Sequence, residues 1–175
     1  MAIRVKGLDP IVGEEPKVLI LGTFPGESSR KNKQYYFDER NRFWSIINRV
    51  LNDNQGFVSY TAKTKCLKDH HVAVWDTYES KVFTGESSNE GISDPTFNDI
   101  RSFLQSYPSI RRIVFNGLSE SAYEFVRIMN GIPRDACVYL RQTSGRVQSR
   151  GQEDINAWKK ALCLDSNQRA DCHLV

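Results

Sequence analysis

Four short apolar runs restrict this chain more than any other feature: Lys17-Val-Leu-Ile-Leu-Gly22, His71-Val-Ala-Val-Trp75, Arg112-Ile-Val-Phe115 and Cys137-Val-Tyr-Leu140. Each is too short for a helix and shows no polar alternation, which is the pattern of a strand buried on both faces. Between and after them lie helical spacings. Phe43, Ile46, Ile47, Val50 and Leu51 form one stripe, closed by the turn residues Asn52 to Gly56. Ile100, Phe103 and Leu104 form a second, in a segment expected from Phe97 to Tyr107 and stopped by Pro108. Ser119 is placed to cap a third, carrying Ala122, Phe125, Val126 and Met129, and Asp154 to Leu164 form the last. Alternation of this kind predicts an α/β fold, a three-layer αβα arrangement around a four-stranded parallel sheet. Ligands of such sheets bind outside the carboxyl ends of the strands. The site is therefore expected in the loops after Gly22, Trp75, Phe115 and Leu140.

The chain of 175 residues is expected to hold one domain, residues 1–165, followed by a polar tail, residues 166–175. That length buries a full core without disulfides. No run approaches the ~20 apolar residues that span a bilayer, and Met1 to Lys6 lacks the apolar centre of a signal peptide. A membrane role is not expected, and an intracellular, cytoplasmic location (nuclear in a eukaryote) is. The net charge of +3 and 26% charged residues permit nucleic-acid binding without requiring it. The cysteines Cys66, Cys137, Cys163 and Cys172 form no C-x-x-C pair, and the histidines are only His70, His71 and His173. These spacings do not resemble a zinc or iron–sulfur site, so neither metal nor cofactor is expected.

The loop Leu21-Gly-Thr-Phe-Pro-Gly-Glu-Ser-Ser29 lacks the G-K-[ST] of a P-loop and the G-x-G-x-x-G of a dinucleotide site. Gly22 and Gly26 permit tight turning, and Ser28 and Ser29 offer groups suited to a phosphate, although a plain structural turn accounts for the loop as well. Next comes Gln34-Tyr-Tyr-Phe-Asp-Glu-Arg-Asn-Arg-Phe-Trp44. The set Gly22-Thr-Phe-Pro-Gly26, Ser28, Tyr35-Tyr36 and Asn41-Arg-Phe-Trp44 resembles the first motif of the uracil-DNA glycosylase superfamily. It is most similar to the hypoxanthine-DNA (deoxyinosine) glycosylase branch, with the mismatch-specific glycosylases near by. The resemblance continues at Val74-Trp-Asp76, Ser93-Asp94, Asn98-Asp99 and Val114-Phe-Asn-Gly117, and ends near Thr143-Ser144. It implies base flipping and cleavage of an N-glycosidic bond in DNA containing a damaged base.

A glycosylase must unstack its base, and an aromatic platform worth roughly 1–3 kcal/mol offsets part of that cost. Tyr36 and Phe24 are the candidate platforms, with core packing as the alternative for each. Many members of the superfamily carry Asp or Asn inside the first glycine loop to position the attacking water. Here that place holds Thr23 or Phe24, which cannot substitute. Asn41 is the best replacement, since its amide both accepts and donates, although it also stands where a helix cap would. The resemblance implies that Asn41 is the catalytic residue. Phe43 and Trp44 read as core. Asp76, at a strand's carboxyl end, is a candidate reader of the base edge or a turn cap, and Asn116-Gly117 reads as a turn. Gly26, Ser28, Ser29, Thr143, Ser144 and Arg146 are candidate DNA-backbone contacts. Arg141-Gln142 and Gly145-Arg146 depart from the Pro-Ser and the small residues that family members often carry there. Arg141 and Arg150 read as solvated charge.

No lysine stands at an evident nucleophile position, so a monofunctional glycosylase acting as a monomer is expected, hypoxanthine being its first substrate. Uracil or mismatched thymine is the alternative within the fold. Outside it stand a DNA-binding relative that has lost the chemistry and a small-molecule α/β enzyme with a phosphate loop. The scattered cysteines and few histidines carry one expectation. Incubation with a chelator leaves base excision unchanged; activity lost and then restored by zinc or magnesium would overturn it.

Overall fold

The computed structural model describes residues 3–83, 93–117 and 137–163. The four apolar runs pair in parallel as one sheet. Its strands are β2 (Val18–Gly22), β3 (Val72–Asp76), β6 (Arg112–Asn116) and β7 (Cys137–Leu140), in the order β3-β2-β6-β7. Alternate side chains of β2 divide the core. Val18 and Ile20 join Phe43, Ile47, Leu67 and Trp158 on one face, while Leu19 and Leu21 join Ile100, Phe103 and Phe115 on the other. Helices α2 (Phe43–Leu51), α3 (Tyr60–Asp69) and α5 (Gln152–Leu162) cover the first face, and α4 (Ile100–Ser106) packs on the second. This is the three-layer fold that the alternation predicts. The helix expected from Ser119 and the polar tail from residue 166 lie outside the described residues.

A second sheet and two helices depart from the expectation. The chain leaves β3 not for a helix but, after Thr77, for β4 (Tyr78–Phe83), which pairs antiparallel with β1 (Ile3–Lys6) and β5 (Ser93–Phe97). Residues 93–95, expected in a loop, and Phe97, expected in a helix, therefore belong to a strand. This second sheet turns polar groups inward: Ser80 is buried, bonded to Thr96 at 2.7 Å and to Arg4 at 3.0 Å, so its strands lack the apolar signature. Helix α1 (Glu27–Asn32) occupies the end of the presumed glycine–serine loop, and its sequence ESSRKN has no apolar stripe. In α3 the only buried residues are Cys66 and Leu67, and Ser59 caps its start by accepting from the Ala62 N–H at 3.1 Å.

The topology fixes where a ligand can sit. From β2 the chain moves to β3 on one side and later crosses to β6 on the other, so the switch point lies between the carboxyl ends of β2 and β6. Thr77 closes the adjacent corner. Its N–H and its hydroxyl both donate to the Gly22 carbonyl at 2.9 Å, and the Tyr78 N–H donates to that of Thr23 at 3.1 Å. No helix among the described residues is long and apolar enough to cross a membrane.

Candidate active site

Gly22 ends β2 at the switch point, and the absence of a side chain there is required. A β-carbon would stand 2.3 Å from Asp76 Oδ1 and 3.4 Å from the Tyr36 hydroxyl. Asp76 and Tyr36 thus converge on the same backbone atom from β3 and from the loop before α2. Asp76 is buried, its Oδ2 has no partner, and loss of hydration raises its carboxyl pKa to about 7. At neutral pH it is a mixture of carboxylic acid and carboxylate. The Tyr36 hydroxyl is also buried and unpaired. Burial, then the Asp76 charge, push its pKa up, while the adjacent Asn116 amide tempers that rise without closing a hydrogen bond.

Tyr36 adopts a left-handed backbone, φ 54°, which costs an aromatic residue roughly 1–3 kcal/mol unless its neighbours impose it. They do. The Tyr35 N–H donates to the Tyr60 hydroxyl at 2.9 Å, and the Phe37 N–H donates to Ser29 Oγ at 3.1 Å. The Tyr36 ring stacks on Phe43 with centres 3.9 Å apart and planes 21° from parallel. One face of the ring is taken by Phe43 of the core.

Each residue of Asn41-Arg-Phe-Trp44 has a distinct place. Asn41 Oδ1 accepts from the Phe43 N–H at 3.0 Å, so its side chain satisfies the first N–H of α2 from the residue before the N-cap residue Arg42. That bond fixes which amide atom is oxygen and leaves Nδ2 as a donor with no acceptor bound. Arg42 reaches the last loop: Nη1 donates to the carbonyls of Val147 at 2.7 Å and Ser144 at 3.2 Å, and Nη2 to that of Gln142 at 3.2 Å. Its Nε is buried without a partner. Phe43 is wholly buried, and Trp44 Nε1 donates to the Tyr35 carbonyl at 2.8 Å.

Asn116, read from the sequence as part of a turn, belongs to this assembly. Its Nδ2 donates to Thr143 Oγ1 at 2.9 Å and its Oδ1 accepts from the Thr143 N–H at 3.0 Å. The signal that could have found it is the one that found Asp76: a polar residue closing an apolar strand on the ligand side. Gly117 follows at φ 126°, and a β-carbon there would meet Gln142 Cγ at 2.3 Å. Among the described residues, the buried side-chain polar atoms without partners are those of Tyr36, Arg42 and Asp76, all in this region. Each such group costs about 1–3 kcal/mol, and two of the three, on Tyr36 and Asp76, meet beside Gly22.

The remaining candidates separate. Ser29 and Thr143 are interior, and both hydroxyls are engaged by the protein. Gly26 and Arg146 are exposed; Ser28 and Ser144 are half-buried. Phe24 lies apart from Tyr36, its ring facing the cations of Arg30 and Lys81. A separate cavity of about 310 Å³, lined by Leu8, Asp9, Trp75, Glu79 and Asp99 among others, includes none of Asn41, Tyr36 and Asp76. Among the described residues no group of three or more His, Cys, Asp or Glu is arranged to hold a metal ion.

A parallel sheet whose switch point brings together a stacked tyrosine and a buried carboxyl defines a class that also appears in comparisons of the whole chain. The protein belongs to the uracil DNA glycosylase superfamily, whose sequence pattern matches residues 10–164. A hypoxanthine DNA glycosylase of Methanosarcina acetivorans is 30% identical over 119 residues, covering 68% of this chain and 75% of that protein. A hypoxanthine DNA glycosylase of Methanosarcina barkeri is 25% identical over 122 residues, covering 70% and 77%. The solution NMR structure of a candidate uracil DNA glycosylase from Methanosarcina acetivorans superposes with a TM-score of 0.77 at 25% identity, covering 91% of this chain and 97% of that one.

The Asp76 carboxyl gives a test by pH. Its pKa is raised on folding, so its contribution to stability is full below the unfolded value near 4 and is lost as pH rises through about 7. Asp76→Asn removes that titration. Thermal melts should show the variant gaining on the wild type between pH 4 and 8, by at least ~3 °C, the shift that ~1 kcal/mol produces in a domain of this size. Parallel profiles would place Asp76 in a hydrated setting.

Proposed function

We propose that this protein is a monofunctional DNA glycosylase that hydrolyses the N-glycosidic bond of deoxyinosine and releases hypoxanthine. The observation that carries the reading is the convergence on Gly22, at the carboxyl end of β2, of the Tyr36 hydroxyl and the buried Asp76 carboxyl, each with a polar atom left without a partner. In the reaction the bond between the sugar C1′ and the base nitrogen breaks and its electron pair leaves with the base. Water oxygen bonds to C1′, and its proton balances the departing anion. Tyr36 stacks on the flipped base. Asn41 donates through Nδ2 to the base or holds the water, while its oxygen stays on the α2 cap.

Asp76 suits a lactam edge, an N–H beside a carbonyl. As the neutral acid it donates to the carbonyl and accepts from the N–H; as the carboxylate it only accepts. Hypoxanthine and uracil share that edge, so the preference for hypoxanthine rests on the names of the two Methanosarcina relatives. Gly26, Ser28, Ser144 and Arg146 are proposed to meet the DNA backbone, with Ser29 and Thr143 bracing the loops from inside. Phe24 is the weaker platform candidate, because its ring already faces two cations. The protein acts as a monomer on damaged DNA inside the cell, in the cytoplasm or, in a eukaryote, the nucleus.

Duplexes carrying hypoxanthine, uracil, xanthine or a mismatched thymine, incubated with the protein in excess, test this reading. Hypoxanthine should leave fastest. A preference for uracil or thymine would move the substrate within the same chemistry, and binding without product would reject the enzyme. Asn41→Ala should slow single-turnover excision by ~10²–10³, the worth of an oriented donor at comparable sites. It should lower stability by only about 1 kcal/mol, as loss of a cap does. Asn41→Asp keeps the cap and removes the donor, so it should fold normally and remain slow. A folded Asn41→Ala protein with the wild-type rate would reduce Asn41 to a cap.

A further inference from the structure

Beyond Gly22 the chain carries Phe24 into a cluster that the base site does not use. Arg30 from α1, Lys81 and Phe83 from β4, and Phe24 itself meet where the glycine loop passes the second sheet. The Arg30 guanidinium carbon lies 5.4 Å from the centre of the Phe24 ring and 5.1 Å from that of Phe83. Lys81 Nζ lies 5.0 Å and 4.5 Å from the same two centres. All four residues are half-buried. The Arg30 side chain is fixed by a bond from Nη1 to the Pro25 carbonyl at 2.7 Å.

Among the described residues the charges are unbalanced. Glu27 is the acidic group that acts on Arg30, and it is held by Lys31 at 2.7 Å. The charge that acts on Lys81 is that of Arg30, and with the loss of hydration it lowers the ammonium pKa. Ring faces attract cations, at about 0.5–1 kcal/mol for exposed pairs, but accept no ordinary hydrogen bond. Two like charges held side by side and partly desolvated therefore call for an anion. Phe24 is two residues from Gly22, within ~7 Å along the chain.

Resting on the reading of the protein as a DNA glycosylase, we propose that Arg30 and Lys81, carried on the Phe24 and Phe83 rings, bind a backbone phosphate of the DNA strand that delivers the flipped base. The guanidinium supplies a planar fork and the ammonium a compact point charge, a combination suited to a phosphate. Phe24 then serves as the platform for cations rather than for the base. The second sheet gains a role as well, since β4 brings Lys81 and Phe83 to the mouth of the site.

The test is the affinity of a fluorescent deoxyinosine duplex for the wild type, Lys81→Met and Arg30→Gln/Lys81→Gln, measured from 50 to 200 mM salt. Each phosphate contact contributes roughly 0.9 to the slope of log affinity against log salt. The double variant should show a slope shallower by about that amount and affinity at low salt weakened by ~10-fold or more. In single-turnover excision its half-saturating protein concentration should rise by a larger factor than its plateau rate falls. Lys81→Met keeps the apolar stem on the rings and removes only the charge. Folded and shown so by thermal melting, it should weaken binding in the same direction even if the double variant does not fold. Wild-type affinity and slope in folded Lys81→Met would overturn the proposal. Failure of the wild type to excise any damaged base would instead overturn the functional reading, and the salt dependence of binding would still report on the phosphate site.

Discussion

Arg42 joins two loops that lie a hundred residues apart in the chain, and the geometry of the site depends on that junction. Its guanidinium donates to the carbonyls of Gln142, Ser144 and Val147, while its own N–H donates to the Thr143 carbonyl at 2.8 Å. Hydrogen bonds from a charged donor contribute about 1.5–3 kcal/mol each, more than neutral ones. They hold the last loop against the turn before α2 closely enough that a β-carbon on Gly145 would meet Arg40 Cβ at 2.7 Å. With the loop so placed, Thr143 can reach back to Asn116, and the carboxyl end of β6 is tied to the same unit. Asn41 and Phe43, on either side of Arg42, are thereby set in register with the ends of the strands.

Within this frame, burial supplies the chemistry. Phe43 fixes one face of Tyr36 and forces its hydroxyl inward beside Asp76. The same burial that raises the Asp76 pKa toward neutrality gives that carboxyl a protonated population able to donate as well as accept. Polar atoms left without partners destabilise the free protein, and under the proposed function a flipped base pairing with them recovers part of the cost. The arrangement thus links three levels: a parallel sheet with one switch point, a strained tyrosine locked by packing, and a set of donors and acceptors that a lactam edge can complete.

Much of this was legible from the sequence. Four apolar runs are an unambiguous signal, and the rule that ligands bind at strand carboxyl ends selected Asp76 before any contact was known. Asn41 was legible as a residue that holds the start of α2, which its Oδ1 does, and its Nδ2 remains available for the role proposed above. The second sheet was not legible, because its strands carry polar residues, the buried Ser80 bonded to the exposed Arg4 and Thr96, and leave no apolar alternation. Helix α1 was hidden for a related reason: its sequence is polar throughout and carries no apolar stripe. Asn116 was missed because an Asn-Gly pair signals a turn, and nothing local shows that its amide spans to Thr143, 27 residues on. Ser29 and Thr143, expected to contact the DNA backbone, are buried, and their bonds to Phe37 and Asn116 are not encoded in local spacing.

A crystal structure with duplex DNA carrying a hydrolysis-resistant 2′-fluoro deoxyinosine tests the central claim most directly. The account predicts the hypoxanthine ring stacked on the face of Tyr36 away from Phe43, above Gly22. Its lactam edge should lie within ~3 Å of the Asp76 carboxyl, and Asn41 Nδ2 should lie within the same distance of the base or of the water facing C1′. A base lodged elsewhere, such as against Trp75 in the cavity between Leu8 and Asp99, with Tyr36 and Asp76 still sealed from it, would contradict the account.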